Sequence, residues 1–96
     1  MIYKSYMGFF KTFCNDTRLS IVLCLMEKPM HVGQIVKELK MEQSRISHNL
    51  QCLEKNGFVK VKREGKQRIY SLNKDTVVPI LDGGKKHIKT HNSYVC

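Results

Sequence analysis

One change in periodicity constrains this chain more than any other feature, and it lies at Asn56-Gly57 within residues 43–72. Before that point, three apolar residues recur at i, i+4 and i+7: Ile46, Leu50 and Leu53. This spacing places them on one stripe of an α-helix, which needs a core against which to be buried. Asn and Gly tolerate the left-handed backbone conformation in which many helices end. The sequence therefore predicts a helix that ends at Asn56-Gly57.

The residues after Gly57 have the pattern of β-strands. Residues 58–63 and 68–72 are typical of two short strands, and residues 64–67 join them through a glycine-containing turn. We interpret this segment as a basic β-hairpin. A polar-faced helix followed by such a hairpin is the arrangement of a winged helix-turn-helix. In that fold the helix enters a DNA major groove, and the hairpin lies over the backbone or minor groove.

Side chains that donate or accept hydrogen bonds occupy the helix face opposite the stripe, and others occupy the hairpin. On the helix this face holds Ser44, Ser47, His48, Gln51 and Lys55, with Arg45 on its flank, and Gln43 at the helix start joins them as a candidate contact. On the hairpin they are Arg63, Lys66 and Arg68. Arginine suits guanine and glutamine suits adenine, whereas the hairpin cations suit phosphate or the minor groove. We predict that these residues contact DNA, against the alternative of a merely solvated polar face.

The segments before this helix predict three more helices. Asn15-Asp16-Thr17 offers a cap for a helix over residues 18–26, which is apolar almost all round and should be buried between the core and another element. A further helix is predicted at about 32–39. Only Lys40-Met41-Glu42 separate it from the polar-faced helix that ends at Asn56-Gly57, which would be the recognition helix. With the first and last helices, the fold class is mainly α with a small β-hairpin, in the order α-α-α-α-β-β-α. Residues 1–96 form a single winged-helix DNA-binding domain.

The first and last helices should carry more apolar surface than one small domain can cover. Aromatic side chains crowd residues 2–14, and the last helix should run over about 76–92 with Asn73 or Asp75 as its cap and a weak point at Gly83-Gly84. If the last helix continues, one stripe contains Val77, Leu81, Gly84, Ile88, His91 and Val95. We expect these two helices to form the interface of a homodimer.

Positive charge is concentrated in the segment that contains the helix and the hairpin. The chain has 17 Lys and Arg against 8 Asp and Glu, a formal charge of +9. Residues 43–72 hold seven of these cations and two of these anions, so this segment alone carries +5. Such a surface favours a polyanionic partner, here a double-stranded DNA operator.

The chain shows no sign of export, of membrane insertion or of catalysis. No apolar run is long enough to span a bilayer, and the first residues lack the apolar core of a secretory signal. The four cysteines are too widely spaced for a disulfide scaffold or a zinc ribbon. We therefore predict a cytoplasmic protein with reduced thiols. Because no phosphate-binding glycine loop and no nucleophile with a local base are present, we do not expect an enzyme.

Three segments resemble the ArsR (SmtB-type) repressors, which are small prokaryotic dimeric winged-helix regulators. The first is Asp16-Thr17-Arg18-Leu19-x-Ile21-x-x-x-Leu25. The second is Gln43-Ser44-x-Ile46-Ser47-x-x-Leu50-x-x-Leu53-x-x-x-Gly57-Phe58-Val59. The third is Arg63-Glu64-Gly65-Lys66-x-x-x-Tyr70-x-Leu72. The resemblance implies an operator-binding dimer, joined through its first and last helices, that releases DNA when a metal ion or another small signal binds.

Neither of the metal sites that the resemblance implies is intact in this sequence. A Cys-x-Cys pair in the family corresponds here to His31 and Gly33. The ligands of a second site, on the last helix, correspond to Lys74, Thr76, His87 and Thr90. Of these only His87 has a side chain that ligates transition metals.

His87 and His91 offer a different metal site, because histidines at i and i+4 on a helix can chelate one ion. Cys96 follows close by, and such nitrogen and sulfur ligands suit zinc or another transition metal as inducer. Three neighbouring lysines disfavour a cation and support the alternative of ordinary histidines in a basic tail.

A thiol switch is a second hypothesis for sensing, in which Cys96 would react with Cys14 or Cys24 in a redox-sensing repressor. Against it, buried cysteines are usually inert small hydrophobes. Two other functions stay open. One is an inducer-independent architectural or constitutive DNA-binding protein, whose affinity would depend steeply on salt and little on sequence. The other is a winged helix that binds protein, which the basic hairpin argues against.

Overall fold

The computed structural model describes residues 2–95. The elements are α1 Ile2–Phe13, α2 Asp16–Glu27, β1 Met30–His31, α3 Val32–Leu39, α4 Gln43–Lys55, β2 Val59–Glu64, β3 Gln67–Leu72 and α5 Val77–Thr90. This order confirms the mainly α winged helix-turn-helix. It adds strand β1, so the hairpin belongs to a three-stranded antiparallel sheet with the order β1-β3-β2. Within the described residues, no helix combines the length and the apolar character that crossing a membrane requires.

Strand β1 was not predicted because its two residues are too few to show a period. Met30 pairs with Tyr70, and His31 pairs with Ile69. His31 is also the N-cap of α3: its Nδ1 accepts a hydrogen bond from the Gln34 N–H at 3.3 Å. The Gln34 side chain in turn accepts from the His31 N–H at 3.0 Å. One short strand thus ties the start of α3 to the β2–β3 hairpin, which is the wing of the fold.

A single apolar core joins the helix-turn-helix to the sheet. Its most deeply buried side chains are Ile21, Val22, Ile35, Ile46, Leu50, Leu53 and Val77. The predicted stripe of α4 is confirmed, because Ile46, Leu50 and Leu53 are each at most 1% exposed. Phe58 and Tyr70 continue the same core onto the sheet. Helix α4 is therefore held by its apolar face, and its remaining circumference is left outside the core.

Helix α2 begins where predicted, since the Asn15 side chain accepts a hydrogen bond from the Arg18 N–H at 2.9 Å. The expectation that α2 is buried nearly all round is only partly met. Ile21 is completely buried, whereas Leu19 and Leu23 are 38% and 52% exposed. The difference arises because α1 and α5 stand on either side of these two leucines without closing over them.

Helix α1 contacts the core through two of its aromatic residues. The rings of Phe9 and Phe13 lie 5.2 and 4.8 Å from the ring of Phe58. Arg18 of α2 also contacts the C-terminus of α1, where its Nε donates to the Thr12 carbonyl at 2.8 Å. The other aromatic residues of α1 are exposed, and of these Phe10 packs edge-on against Phe9 with ring centroids 5.2 Å apart.

The prediction that Asn73 or Asp75 caps α5 is wrong. The N-cap is Thr76, and it makes no side-chain capping hydrogen bond. The Asn73 side chain instead accepts from the Asp75 N–H at 3.1 Å, and its carbonyl accepts from the Val77 N–H at 3.0 Å. Both bonds belong to the turn that precedes the helix, so Asn73 shapes this turn and does not cap α5.

The predicted stripe of α5 is shorter than expected. The helix passes through Gly83-Gly84 but ends at Thr90, with His91 as an extended C-cap, so Val95 is not part of it. The residues that follow are His, Asn and Ser, which have low helix propensity and compete for backbone hydrogen bonds. Because these residues disfavour helix and follow its last apolar contact, nothing stabilises a further turn of α5.

The two turns that flank α4 both use left-handed backbone. Gly57 has φ +76° and Lys40 has φ +55°. Glycine adopts this conformation freely, whereas a residue with a Cβ is strained there by roughly 1–2 kcal/mol. Helix α4 thus ends at a relaxed glycine, as predicted, but the turn before it stores strain at Lys40.

Replacing Lys40 by glycine should raise the free energy of unfolding by roughly 0.5–1 kcal/mol, because the strain of the left-handed conformation is relieved. The matched control is Lys37→Gly, at an exposed position inside α3. This control should lower the free energy of unfolding by about 1 kcal/mol. Urea unfolding followed by circular dichroism measures both changes. The same sign for the two variants would contradict the strain at Lys40.

Candidate nucleic-acid interface

The outer face of α4 is polar and accessible. The exposed residues of α4 are Gln43, Ser44, Arg45, His48, Gln51, Glu54 and Lys55, and Ser47 is half-buried. Because the apolar stripe faces the core, these side chains lie outside the core. The structure thus brings the predicted residues of this helix to one surface.

The N-terminus of α4 adds backbone donors to this surface. Its first intrahelical hydrogen bond runs from the Ile46 N–H to the Glu42 carbonyl, and the Glu42 side chain makes no capping bond. The preceding N–H groups of the first turn therefore have no partner within the helix. Such groups, together with the positive end of the helix dipole, favour a phosphate. These backbone donors were not predicted, because they leave no side-chain pattern in the sequence.

Arg45 is tied to a neighbouring helix. Its Nε donates to Oγ1 of Thr17 at 2.8 Å. Thr17 lies in the first turn of α2 and is only 4% exposed, while Arg45 itself is exposed. The role of Thr17 was not predicted, because the two residues are 28 positions apart and neither helix pattern reports their contact.

The wing places two arginines opposite each other. In the β2–β3 pairing Val59 faces Leu72, and Arg63 faces Arg68. Side chains alternate between the faces of a strand, so the face that is buried at Val59 and Leu72 carries both arginines near its free end. Like charges directly opposite each other are destabilising, by up to about 1 kcal/mol. An anion bound between Arg63 and Arg68 would relieve this repulsion.

The turn of the wing is tighter than predicted. Glu64 and Gln67 still pair across the strands, so only Gly65 and Lys66 form the loop. Gly65 has φ +61°, a conformation that favours glycine. Lys66 is therefore held at the tip of the hairpin, exposed and next to the arginine pair.

The charge of this region is fully accessible. All seven cations of residues 43–72 are exposed: Arg45, Lys55, Lys60, Lys62, Arg63, Lys66 and Arg68. Exposed charges interact over a Debye length of about 10 Å at 0.1 M salt, so neighbouring cations reinforce one another. Their sum is an attractive field for a polyanion across both α4 and the wing.

Helices α1, α2 and α5 border an apolar groove of about 770 Å³. Its main lining residues are Phe10, Phe13, Leu19, Leu23, Ile80 and Ile88. Phe10 and Ile88 are 51% and 53% exposed. An apolar surface of this extent usually marks an interaction site.

His87 lies in the last turn of α5, but His91 is the extended C-cap, so the prediction that both histidines lie on the helix is wrong. The rings of His87 and His91 are stacked, with centroids 5.1 Å apart and planes inclined by 16°. The Thr90 hydroxyl lies 3.2 Å from Nδ1 of His91. Cys96 lies outside the described residues. Within residues 2–95 no group of three or more His, Cys, Asp or Glu side chains is placed to hold a metal ion, so the pair needs ligands from elsewhere.

The predicted redox residues differ in accessibility. Cys14 is an exposed free thiol at the end of α1. Cys24 is buried, with its Sγ 3.5 Å from the Met30 Sδ. Burial raises the pKa of the Cys24 thiol, and the charges of Glu38 and Glu27 raise it further. Because the thiolate is the reactive form, burial disfavours Cys24 as a nucleophile, whereas the Cys14 thiol is accessible to solvent.

The sequence matches the family model of bacterial regulatory proteins of the arsR family over residues 15–61. It is also similar to the HTH-type transcriptional regulator MJ1325 of Methanocaldococcus jannaschii. The two are 40% identical over 80 residues, which span 82% of this chain and 90% of MJ1325. The match therefore extends over nearly the whole of the relative.

Solved structures agree with the sequence comparison. The crystal structure of Rv0081 from Mycobacterium tuberculosis has a TM-score of 0.85 and 29% identity, over 93% of this chain and 90% of that one. The solution structure of apo-NmtR, a regulator of the same organism, has a TM-score of 0.84 and 26% identity, over 99% of this chain and 80% of that one. Sequence, fold and polar helix face together identify this chain as a member of the ArsR family of winged helix-turn-helix transcriptional regulators.

Proposed function

We propose that this chain is a homodimeric repressor that binds a specific double-stranded DNA operator and releases it in response to a metal ion or another small signal. The observation that carries the proposal is the exposed polar face of α4, followed along the chain by a wing whose cations are all exposed. A regulator of this kind acts in the cytoplasm, where its DNA lies, and has no need of catalytic groups.

Helix α4 and the wing would make different kinds of contact with DNA. We assign contacts with base edges to the side chains of α4, namely Gln43, Ser44, Arg45, Ser47, His48, Gln51 and Lys55. Those near the helix N-terminus would also meet phosphate, aided by the free N–H groups of the first turn. We assign phosphate or minor-groove contacts to Arg63, Lys66 and Arg68, which position the protein without selecting a sequence.

We assign the dimer interface to the first and last helices, at about residues 2–14 and 76–92. The open apolar groove between α1, α2 and α5 supports this assignment, because a second copy would bury it. A structural relative of 23% identity and TM-score 0.77, Mb0332 of Mycobacterium bovis, is described as a homodimeric winged helix-turn-helix domain. In a dimer of this fold the two recognition helices enter successive major grooves about 34–36 Å apart.

We assign the metal signal to His87 and His91, with Cys96 or a second chain completing the ligand set. The proximity of the two rings supports this choice. A thiol-based signal is the second candidate, and the exposed thiol of Cys14 favours it. Indifference to either signal would leave the inducer-independent DNA-binding protein as the alternative.

Selection from a random duplex library should enrich an inverted repeat whose half-sites are about 10–10.5 base pairs apart, centre to centre. Ile88→Glu should yield a monomer in sedimentation experiments and lower affinity for the enriched duplex at least about 10-fold, because an unpaired carboxylate cannot be buried in the interface. Lys86→Glu, on the same helix but outside the groove lining, is the control and should remain dimeric. Failure of the wild-type protein to enrich any sequence would contradict specific recognition.

Arg63→Gln and Arg68→Gln should each weaken binding to all duplexes alike and reduce the slope of log affinity against log salt by about 1. The same substitutions should raise the free energy of unfolding of the unbound protein, by up to about 1 kcal/mol, because the opposed charges are removed. Fluorescence anisotropy and urea unfolding measure the two effects. Lys4→Gln, which removes one exposed charge from α1, is the control. A salt slope that stayed at the wild-type value would argue against phosphate contacts by the wing.

Zinc should weaken binding to the enriched duplex by about 10-fold if it acts as an allosteric inducer, and a chelator should restore it. In a His87→Ala/His91→Ala variant this response to zinc should disappear, when it is measured against the affinity of the same variant without metal. Release by an oxidant that is lost in Cys14→Ser would instead assign the signal to the thiol. Anisotropy titrations with and without zinc, copper(I), chelator and oxidant separate these cases.

A further inference from the structure

We infer that Thr17 is a positioning residue for DNA recognition, whose buried hydroxyl orients Arg45 so that the end of its guanidinium faces a guanine of the operator. The inference rests on the proposed DNA-binding function. It adds to the recognition surface a residue that lies on α2 and that DNA itself would not touch.

The support under Arg45 is rigid. Thr17 is 4% exposed, and its Oγ1 accepts the hydrogen bond from the Arg45 Nε at 2.8 Å. The residues beside it are also fixed, since Asn15 caps the helix and Arg18 donates to the Thr12 carbonyl. The acceptor therefore has a fixed place relative to the core that also holds α4.

The hydrogen bond selects one of the two ways in which an arginine can bind a base. A guanidinium has five N–H donors, and a bidentate contact uses either Nε with one terminal nitrogen or both terminal nitrogens. In this protein Nε is already occupied by Thr17, so the pair of terminal nitrogens remains. This planar fork matches the N7 and O6 atoms of guanine. Arg45, the third residue of α4, would therefore contact guanine end-on through its two terminal nitrogens.

The hydrogen bond also lowers the entropy that Arg45 loses on binding. A free arginine side chain samples many rotamers, and ordering them at an interface opposes association. Arg45 is ordered when the protein folds, before it meets DNA. In the described part of the chain Arg63 and Arg68 have no comparable tether, as suits residues that follow phosphates of any sequence.

The test compares base preference, not affinity alone. Thr17→Val keeps the shape of the side chain and removes the acceptor, whereas Thr17→Ser keeps the acceptor. Each variant is titrated with the duplex that wild-type protein enriches from a random library and with all of its single-base-pair substitutions. Arg45→Ala, alone and combined with Thr17→Val, identifies the base pair that Arg45 contacts.

Arg45→Ala should lose discrimination at one G·C pair of each half-site by about 10-fold or more. Thr17→Val should lose about 3-fold to 10-fold at the same pair and nothing at the others, as expected when a fork is present but no longer aligned. Thr17→Ser should retain the wild-type preference. In the Arg45→Ala background Thr17→Val should have no further effect on discrimination.

A uniform loss across all sequences in Thr17→Val would show a purely structural role and overturn the inference. So would unchanged discrimination at the Arg45 pair. If wild-type protein enriched no sequence, both this inference and the proposed function would fail. If wild-type protein enriched a sequence and Thr17→Val had the same base preferences as wild type, only the inference would fail.

One measurement needs no substitution and so does not depend on how the Thr17 variants fold. In heteronuclear NMR spectra of the free wild-type protein, the Arg45 Nε–H should exchange with water at least about 10-fold more slowly than the Nε–H of the untethered Arg68, because a made hydrogen bond must open before exchange occurs. Equal exchange rates for the two arginines would overturn the inference.

Discussion

The burial of one apolar stripe on α4 determines how the rest of the surface is arranged. Ile46, Leu50 and Leu53 are almost completely buried. Rotation of the helix about its axis would expose them, at a cost of roughly 1.5–3 kcal/mol for each side chain. Because polar residues occupy the remaining circumference, the same packing decides which groups face solvent. The stability of the core and the orientation of the polar face therefore depend on one set of contacts.

The first turn of α2 connects the polar face of α4 with helix α1 at the edge of the domain. Thr17 contacts Arg45 of α4, and the next residue, Arg18, contacts the C-terminus of α1. Helix α1 in turn borders the apolar groove together with α5. A shift of α1 relative to α2 would thus act on the turn that supports Arg45. In the proposed regulator, this physical continuity would give a signal at the groove or at the end of α5 a short route to the recognition helix.

Features that repeat along the chain could be predicted, and features made by one distant contact could not. The stripe of α4, its end at Gly57 and the two long strands each leave a local pattern, and the structure confirms them. Strand β1 has too few residues for a pattern, and the cap of α5 depends on the turn that Asn73 forms. The polar face of α4 was predictable as a set, because its residues occupy the helix positions that are not part of the apolar stripe. The support that Thr17 gives to Arg45 was not, since it joins residues 28 positions apart.

The wing shows how charge can be placed for binding with little loss of stability. Arg63 and Arg68 repel each other across the strands. At the inner end of the same face, Val59 and Leu72 are buried and hold the strands together. The repulsive pair stands at the other end, where it is exposed and water and salt screen its interaction. That end is also the one that a large polyanion can reach without disturbing the core. The end of the wing at which the two arginines destabilise the fold least is therefore also the end from which they can bind DNA.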